Sequence, residues 1–441
     1  VKALRVAVVG GGWAGMAAAV TACQAGHQVT VFEATRVWGG RARALPSTLP
    51  DGSDVMLDNG QHILIGAYRD TLALMRCVGV EPEHALLRLP LTLLSPDRQG
   101  LCLPDWPMPL DVLGGIVGAR GWSLADKWSL LRTTSRWQLS GFTCAPDTTV
   151  AELCQGLSPT VMQTLMEPLC VSALNTPAQR ASGQVFLRVL KDALLGGRGS
   201  SNLLIPRTDL SSLLPDAAAA WLGQRGASLR LGCRVERLEQ APPDSQRPWL
   251  VNGEAFDAVL WATSPVVAGQ LLGQASQVCA SAGPALQAWA DQAAELLHEG
   301  IATVYMQAGS TRLPQPMLAL RSSADHPAQF VFDRGQLGGR AGLLACVVSA
   351  SNDERTVLQD KVLQQVRDQL GALLQGAPAL VQTVVEKRAT FACTPGLQRP
   401  AQYVAPGLLV CGDYVHGPYP ATLEGAVQSG MAAARALTVE A

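Results

Sequence analysis

The 441-residue chain is 48% hydrophobic and only 16% charged, against about 25% charged in an average globular domain, a balance that excludes a disordered polypeptide. Its 34 basic and 35 acidic residues leave a net charge of −1, so no global field draws nucleic acid. The 43 glycines and 28 prolines interrupt the chain often, and it holds no run of roughly 18 apolar residues that would cross a bilayer.

Residues 5–9 (RVAVV) form a β-branched run that reads as a buried strand. Residues 14–24 are Ala-rich and favour a helix, with Gly26 as its stop, and residues 28–32 are a second strand. Together they make the βαβ unit that opens a doubly wound sheet. Residues 90–195 read mainly as helices, with a Pro-rich break at 103–110. Strands are expected again at 228–231, 234–238 and 258–262, with a polar hairpin loop at 244–249. Short alternating strands follow at 301–306, 317–320, 329–332 and 343–349, then a long helix at 354–374 and a last strand at 407–411. The sheet begun at the N-terminus is thus finished at the C-terminus, and a second domain is assembled from the segments between.

The 11 cysteines form no C-x-x-C pair and no cluster with histidine, which argues against a disulfide framework and a metal site and for a reducing compartment. The N-terminus runs straight into a strand without the order of a signal peptide, so a cytoplasmic location is expected.

The chemistry starts at Gly10-Gly-Gly12-Trp-Ala-Gly15, placed between a strand and a helix. Gly10 and Gly12 permit a tight turn and close approach of backbone to a pyrophosphate, and Gly15 lets helix pack on strand. Glu33 follows Gly10 by 23 residues, near the spacing that bonds a ribose. This is a dinucleotide site. Gly39-Gly40-Arg41 adds a second backbone approach and a fixed cation. That extension resembles the flavoproteins of the amine oxidase and phytoene desaturase superfamily, which implies FAD as cofactor. Gly412-Asp413 ends the last strand and Thr422-Leu423-Glu424 opens a helix. In the superfamily the counterpart of Asp413 bonds the ribitol chain, the Thr422-Leu423-Glu424 turn lies against the flavin ring, and the backbone of Val235 meets adenine.

A narrower resemblance rests on Asp58-Asn-Gly-Gln61-His62 through Tyr68, Glu167 through Pro177, Leu204 through Leu210, Glu386 through Phe391 and Pro420 through Gly430. These segments, collinear over almost the whole chain, resemble the squalene-associated FAD-dependent desaturases, the hydroxysqualene dehydroxylases of bacterial hopanoid pathways. The resemblance implies an α/β fold, α+β overall. A Rossmann-like FAD-binding domain comprises residues 1–89, 200–265 and 396–441. An interleaved substrate domain of mixed or antiparallel sheet and helices comprises 90–199 and 266–395. It also implies reductive removal of an allylic hydroxyl from a long-chain isoprenoid, giving squalene. Gln61 and His62 would line the site, with His62 and Asp58 as candidate catalytic groups and His416 and Tyr419 as further candidate acids, and the electron donor would be NADPH or a separate reductase. The alternative is a carotenoid-type desaturase, which would run the flavin in the opposite redox direction. Amine oxidation fits less well, since few aromatics are present to build a cage. Finally, Trp106, Trp122, Trp128 and Trp137 lie among Lys127, Arg132 and Arg136, with Leu124, Trp128 and Leu131 on one helical face. That pattern suits either a core helix or peripheral contact with the cytoplasmic face of the inner membrane.

Overall fold

The structure is a computed structural model and describes residues 3–107, 109–242, 244–351 and 353–437. Among these residues six strands form a first sheet in the order Ser228–Arg230, Gln28–Phe32, Arg5–Val9, Ala258–Trp261, Leu408–Val410 and Tyr403–Ala405. The first five run parallel, and Tyr403–Ala405 closes the edge antiparallel. A parallel sheet is covered on both faces, which is why its strands read as unbroken apolar runs. The helices that shape the site are α1 (Trp13–Gln24), α2 (Arg69–Cys77), α3 (Leu110–Gly118), α4 (Leu124–Leu139), α5 (Gly183–Leu195) and α6 (Leu423–Ala436). Helix α1 is buried on nearly every side, packed on the strand Gln28–Phe32 and against α6. Its alanines keep it thin enough for both contacts.

A second sheet is wholly antiparallel, in the order Met317–Ala319, Phe330–Asp333, Leu343–Ser349, His298–Gln307 and Ala379–Phe391. Here the period-two pattern works as expected. Ala302, Val304 and Met306 pack under a helix, Arg355–Leu370, through Leu358, Val362 and Val366. The opposite face, with Ile301, Phe330, Phe332 and Val384, turns toward the site. The helices Pro265–Ala275 and Gly283–Ala294 pack on each other and on the strands Leu238–Gln240 and Tyr403–Ala405, and Trp289 Nε1 donates to Ala401 O at 2.8 Å. Packing therefore ties residues 265–294 to the edge of the first sheet.

Two local expectations are corrected. Residues 234–238 are not a strand; only Leu238–Gln240 is. The Asn252 side chain takes the place of a neighbouring strand, accepting from the Glu236 and Arg237 N–H groups and donating to Arg234 O. The mainly helical reading of 90–195 omits a hairpin, Thr92–Leu94 with Gly100–Cys102, and an earlier one joins Ala44–Thr48 to Asp54–Asp58. The four tryptophans, read as either core or membrane contact, divide between the two: Trp122 and Trp137 are buried, and only Trp106 and Trp128 look outward. Leu131 packs on the core while Leu124 is exposed, because α4 turns its Leu130–Trp137 side inward. No helix among the described residues is long and apolar enough to cross a membrane.

Candidate active site

The first turn is built by backbone geometry. Gly10 adopts φ +112°, and a Cβ there would stand 2.6 Å from Ala262 O, so strand and turn can close only around glycine. Gly12 is the N-cap of α1 and offers no side chain to its free N–H groups, which leaves them for an anion. A Cβ at Gly12 would meet no protein atom nearer than 3.8 Å. The space there is a cradle, and Gly39 is bridged to it in parallel register. Glu33 is buried, with Oε2 accepting from the Gly11 N–H and Oε1 from the Thr35 N–H, both at 2.8 Å. It locks the turn and lines the cavity.

That cavity, of about 710 Å³, gathers Gly10, Gly12, Glu33, Gly39, Gly40, Arg41, Gln61, His62, Val235, Gly412, Asp413, Thr422 and Leu423 on one continuous wall. Arg41 and Asp413, 372 residues apart, form an ion pair, Nη2 to Oδ1 at 2.5 Å. The positive end of α6 opens at the same place. Uncapped N–H groups at a glycine cradle, a carboxylate at ribose spacing, a cation and a second helix N-terminus make a donor set that fits FAD. Beyond it the cavity turns apolar, lined by Val112, Ile116, Leu130, Leu165, Phe186 and Phe330.

Two residues lie off the wall. Gly15 packs against the turn instead. Asp58, expected as a catalytic group, is 1% exposed and does not face the cavity. Its Oδ1 accepts from the Leu210 N–H at 2.8 Å, Arg334 Nη2 lies 3.5 Å from Oδ2, and its carbonyl accepts from Tyr305. Arg334 Nη1 in turn donates to Gln61 Oε1 at 3.1 Å. Asp58 thus holds Arg334, which holds Gln61, and itself lies off the cavity wall. Burial pushes its carboxyl up to about 6, with Arg334 and the Leu210 N–H opposing. The folded state then holds a proton that the unfolded chain releases nearer pH 4, so deprotonation costs stability as pH rises from about 4 to 6. Replacing Asp58 by Asn is expected to improve in stability relative to the parent by about 3 kcal/mol between pH 4 and 7. Urea unfolding of both proteins at the two pH values measures this; a gap independent of pH refutes it.

His62 faces the cavity with its Nδ1 at 2.8 Å from Gly60 O. A carbonyl only accepts, so Nδ1 carries the proton and Nε2 presents a lone pair. Burial lowers its pKa, which holds the ring neutral. As a resting acid it is therefore unsuited; as a hydrogen-bond acceptor it is well placed. Glu424 also departs from the expected turn against the flavin. It reaches α2, where Oε1 accepts from the Asp70 N–H and Oε2 from the Thr71 N–H and hydroxyl. Helix α2 has no cap of its own, and Glu424 supplies one.

Sequence reasoning named Tyr419 as a candidate acid but missed Arg334 and Asp192; Tyr419 Oη donates to Asp192 Oδ2 at 2.7 Å on the cavity wall. An arginine after the apolar run Phe330–Asp333 is the one local sign of the former. Asn175 was singled out only within a family segment. It ends its helix in a left-handed conformation (φ 48°), donates to Thr390 Oγ1 and accepts from the Ala350 N–H, clamping the second sheet.

The family model of flavin containing amine oxidoreductases matches residues 13–438. Hydroxysqualene dehydroxylases of Zymomonas mobilis subsp. mobilis and Rhodopseudomonas palustris are 24% and 27% identical, and in both cases the likeness covers 97% of each chain. Zeta-carotene and 15-cis-phytoene desaturases align over 17 to 26% of this chain. Among solved structures, cyclohexylamine oxidase from Brevibacterium oxydans superposes with a TM-score of 0.67 at 16% identity, covering 100% of this chain and 99% of the other.

Proposed function

Because this chain belongs to the flavin-containing amine oxidoreductase family, we propose that it is an FAD-dependent oxidoreductase that removes the hydroxyl of hydroxysqualene and gives squalene. The observation that carries the reading is one cavity that joins a flavin site to a chamber walled by aliphatic and aromatic side chains. The full-length relatives supply the substrate class. Carotenoid desaturases share only a fraction of the chain, which favours dehydroxylation over desaturation.

The Gly10–Gly15 turn, Glu33, Arg41 and Asp413 would hold FAD, and Thr422 and Leu423 would border it. When bound in its reduced form, FAD supplies the hydride that replaces the hydroxyl. The other requirements fall on the protein. Loss of water from the protonated allylic alcohol leaves a carbocation, so the wall must keep solvent water away, and the apolar lining does so. His62 Nε2 can accept the substrate O–H and orient it. The positive end of α6 stabilises negative charge beside Thr422. The leaving oxygen needs a proton, which we assign to Tyr419: its hydroxyl turns from Asp192 to the substrate oxygen to give it, leaving a phenolate that takes up a solvent proton after turnover. Burial, together with Asp192, pushes the Tyr419 hydroxyl up to about 12, so it stays protonated at neutral pH. The net change is loss of one hydroxyl as water, with one proton and one hydride consumed. A long isoprenoid dissolves in lipid, which sets the enzyme peripherally at the cytoplasmic face of the inner membrane. The electron source is either NADPH or a partner reductase.

Anaerobic mixing of the photoreduced holoenzyme with hydroxysqualene is expected to yield squalene in a single turnover. The Tyr419→Phe variant should keep its flavin and run about 100-fold slower. Polyene products from phytoene with the oxidised enzyme, and none from hydroxysqualene, would reverse the assignment.

A further inference from the structure

Helices α3 and α4 roof the apolar chamber. Val112 and Ile116 of α3 and Leu130 and Trp137 of α4 face inward and line it. Their outer sides are apolar too. On α3, Leu110, Leu113 and Val117 repeat at helical spacing with 55, 45 and 70% exposure, and on α4 Leu124 and Trp128 are 86 and 67% exposed. Trp106, 54% exposed, lies against Gly114 of α3. Lys127 of α4 donates to Val117 O at 2.7 Å, so the two stripes form one surface. Scattered exposed leucines need no explanation, but a joined patch with two outward tryptophans marks a contact surface.

The rim of the patch identifies its partner. Arg132 and Arg136 continue the Leu124–Trp128 row at four-residue spacing and are exposed. Arg98 and Arg120, also exposed, border a groove at Gly118, where α3 ends. None of the four has an ion-pair partner among the described residues. The acids on these helices are buried and occupied, Asp126 in a capping box with Ser123 and Asp111 on the Val112 N–H. The two exposed acids nearby, Asp105 beside Trp106 and Asp97 beside Arg98, are each neutralised by a further arginine, Arg198 and Arg321 respectively. In a chain of net charge −1, this is a local concentration of cations around exposed tryptophan and leucine. Tryptophan seats at the headgroup level, aliphatic side chains below it and arginines against lipid phosphate.

We propose that the outer face of α3 and α4 beds into a bilayer carrying anionic phospholipid, and that substrate passes from the lipid into the chamber beneath these two helices. The second half rests on the isoprenoid reading above; the first half does not. A flat protein partner would not require cations bordering an apolar ridge on both sides, and the continuity of the ridge with the hydrocarbon chamber favours lipid.

The test uses the holoenzyme and vesicles of phosphatidylcholine with or without phosphatidylglycerol. The parent should co-sediment with the anionic vesicles and bind the neutral ones about tenfold less. Val117→Glu/Trp128→Glu and Arg120→Glu/Arg132→Glu should each lose about tenfold or more in partitioning. Turnover of detergent-dispersed hydroxysqualene should stay within about twofold of the parent, since none of these side chains lines the chamber. Brominated lipid should quench the parent's tryptophan emission and leave a Trp106→Phe/Trp128→Phe variant unquenched. Absence of vesicle binding by the parent, unchanged partitioning of both variants, or occupation of the patch by a protein in place of lipid overturns the proposal. If vesicles bind as described but detergent-dispersed hydroxysqualene is not turned over, the substrate reading fails and the bilayer face stands. If turnover succeeds and vesicles do not bind, the reverse holds.

Discussion

A Gly15→Ala variant is expected to purify colourless, with FAD affinity reduced at least about 100-fold. Gly15 sits in the first turns of α1, directly over the glycine turn. An added Cβ would stand 1.9 Å from Gly10 O and 3.2 Å from the Ala262 Cβ, whereas real Cβ atoms essentially never approach a neighbour within 3.0 Å. Roughly 1 Å of separation must therefore be found between helix and turn. The strand cannot yield, because Gly10 is pinned by its N–H to Phe32 O and by contact with Ala262. The helix must move, and its N–H groups move with it, away from the place where a pyrophosphate would sit. Gly12→Ala makes the comparison decisive. Its Cβ would meet no protein atom nearer than 3.8 Å, so the apoprotein should melt close to the parent, yet it would fill the cradle. Flavin absorbance after purification, fluorescence titration with FAD and thermal melting of both apoproteins measure the three quantities. Stoichiometric flavin in both variants would remove this turn from the cofactor site.

What the sequence made legible follows the range of the interaction responsible. The glycine turn was readable because backbone geometry admits so few residue types at Gly10, and Glu33 because its spacing is set by one helix and one strand. The strands of the second sheet were readable because one face packs on a helix and the other on a cavity, which imposes alternation. Interactions between distant segments left no such trace. Arg334 meets Gln61 across 273 residues, and Glu424 caps α2 across 353. Neither partner carries a local pattern that names the other. Residues 234–238 have the composition of a strand, yet one asparagine side chain from the next hairpin satisfies their backbone and removes the need for pairing. The tryptophans stayed unsorted between core and surface for a related reason. A helix apolar on two sides gives the same periodicity whichever side is buried, so only packing separates Trp128 from Trp137.

A Gly430→Leu variant should not accumulate as folded protein, and Gly430→Ala should lose about 3 kcal/mol, a fall of several degrees in Tm. Gly430 is where α6 crosses α1. Its added Cβ would lie 2.1 Å from Ala14 O and 3.0 Å from the Ala18 N, both backbone atoms of a helix buried on almost every side. Side-chain rotation cannot relieve a clash with backbone, so α6 must lift. Its first turn carries Thr422 and Leu423 of the cavity wall and Glu424, the cap of α2, so one displaced helix disturbs cofactor site, packing and cap together. Ala432→Leu, exposed on the same helix, should melt like the parent. The dependence of Tm on added FAD separates this failure from that of Gly15. A ligand that binds only the folded protein stabilises it by RT ln(1 + [L]/Kd). In Gly430→Ala the fold is weakened first, so Tm should still climb with FAD from a lower starting point. In Gly15→Ala the phosphate turn is lost first, and Tm should stay flat over the same range. A Gly430→Ala protein melting within about a degree of the parent would mean that α1 and α6 have slack at their crossing, contrary to the contact seen.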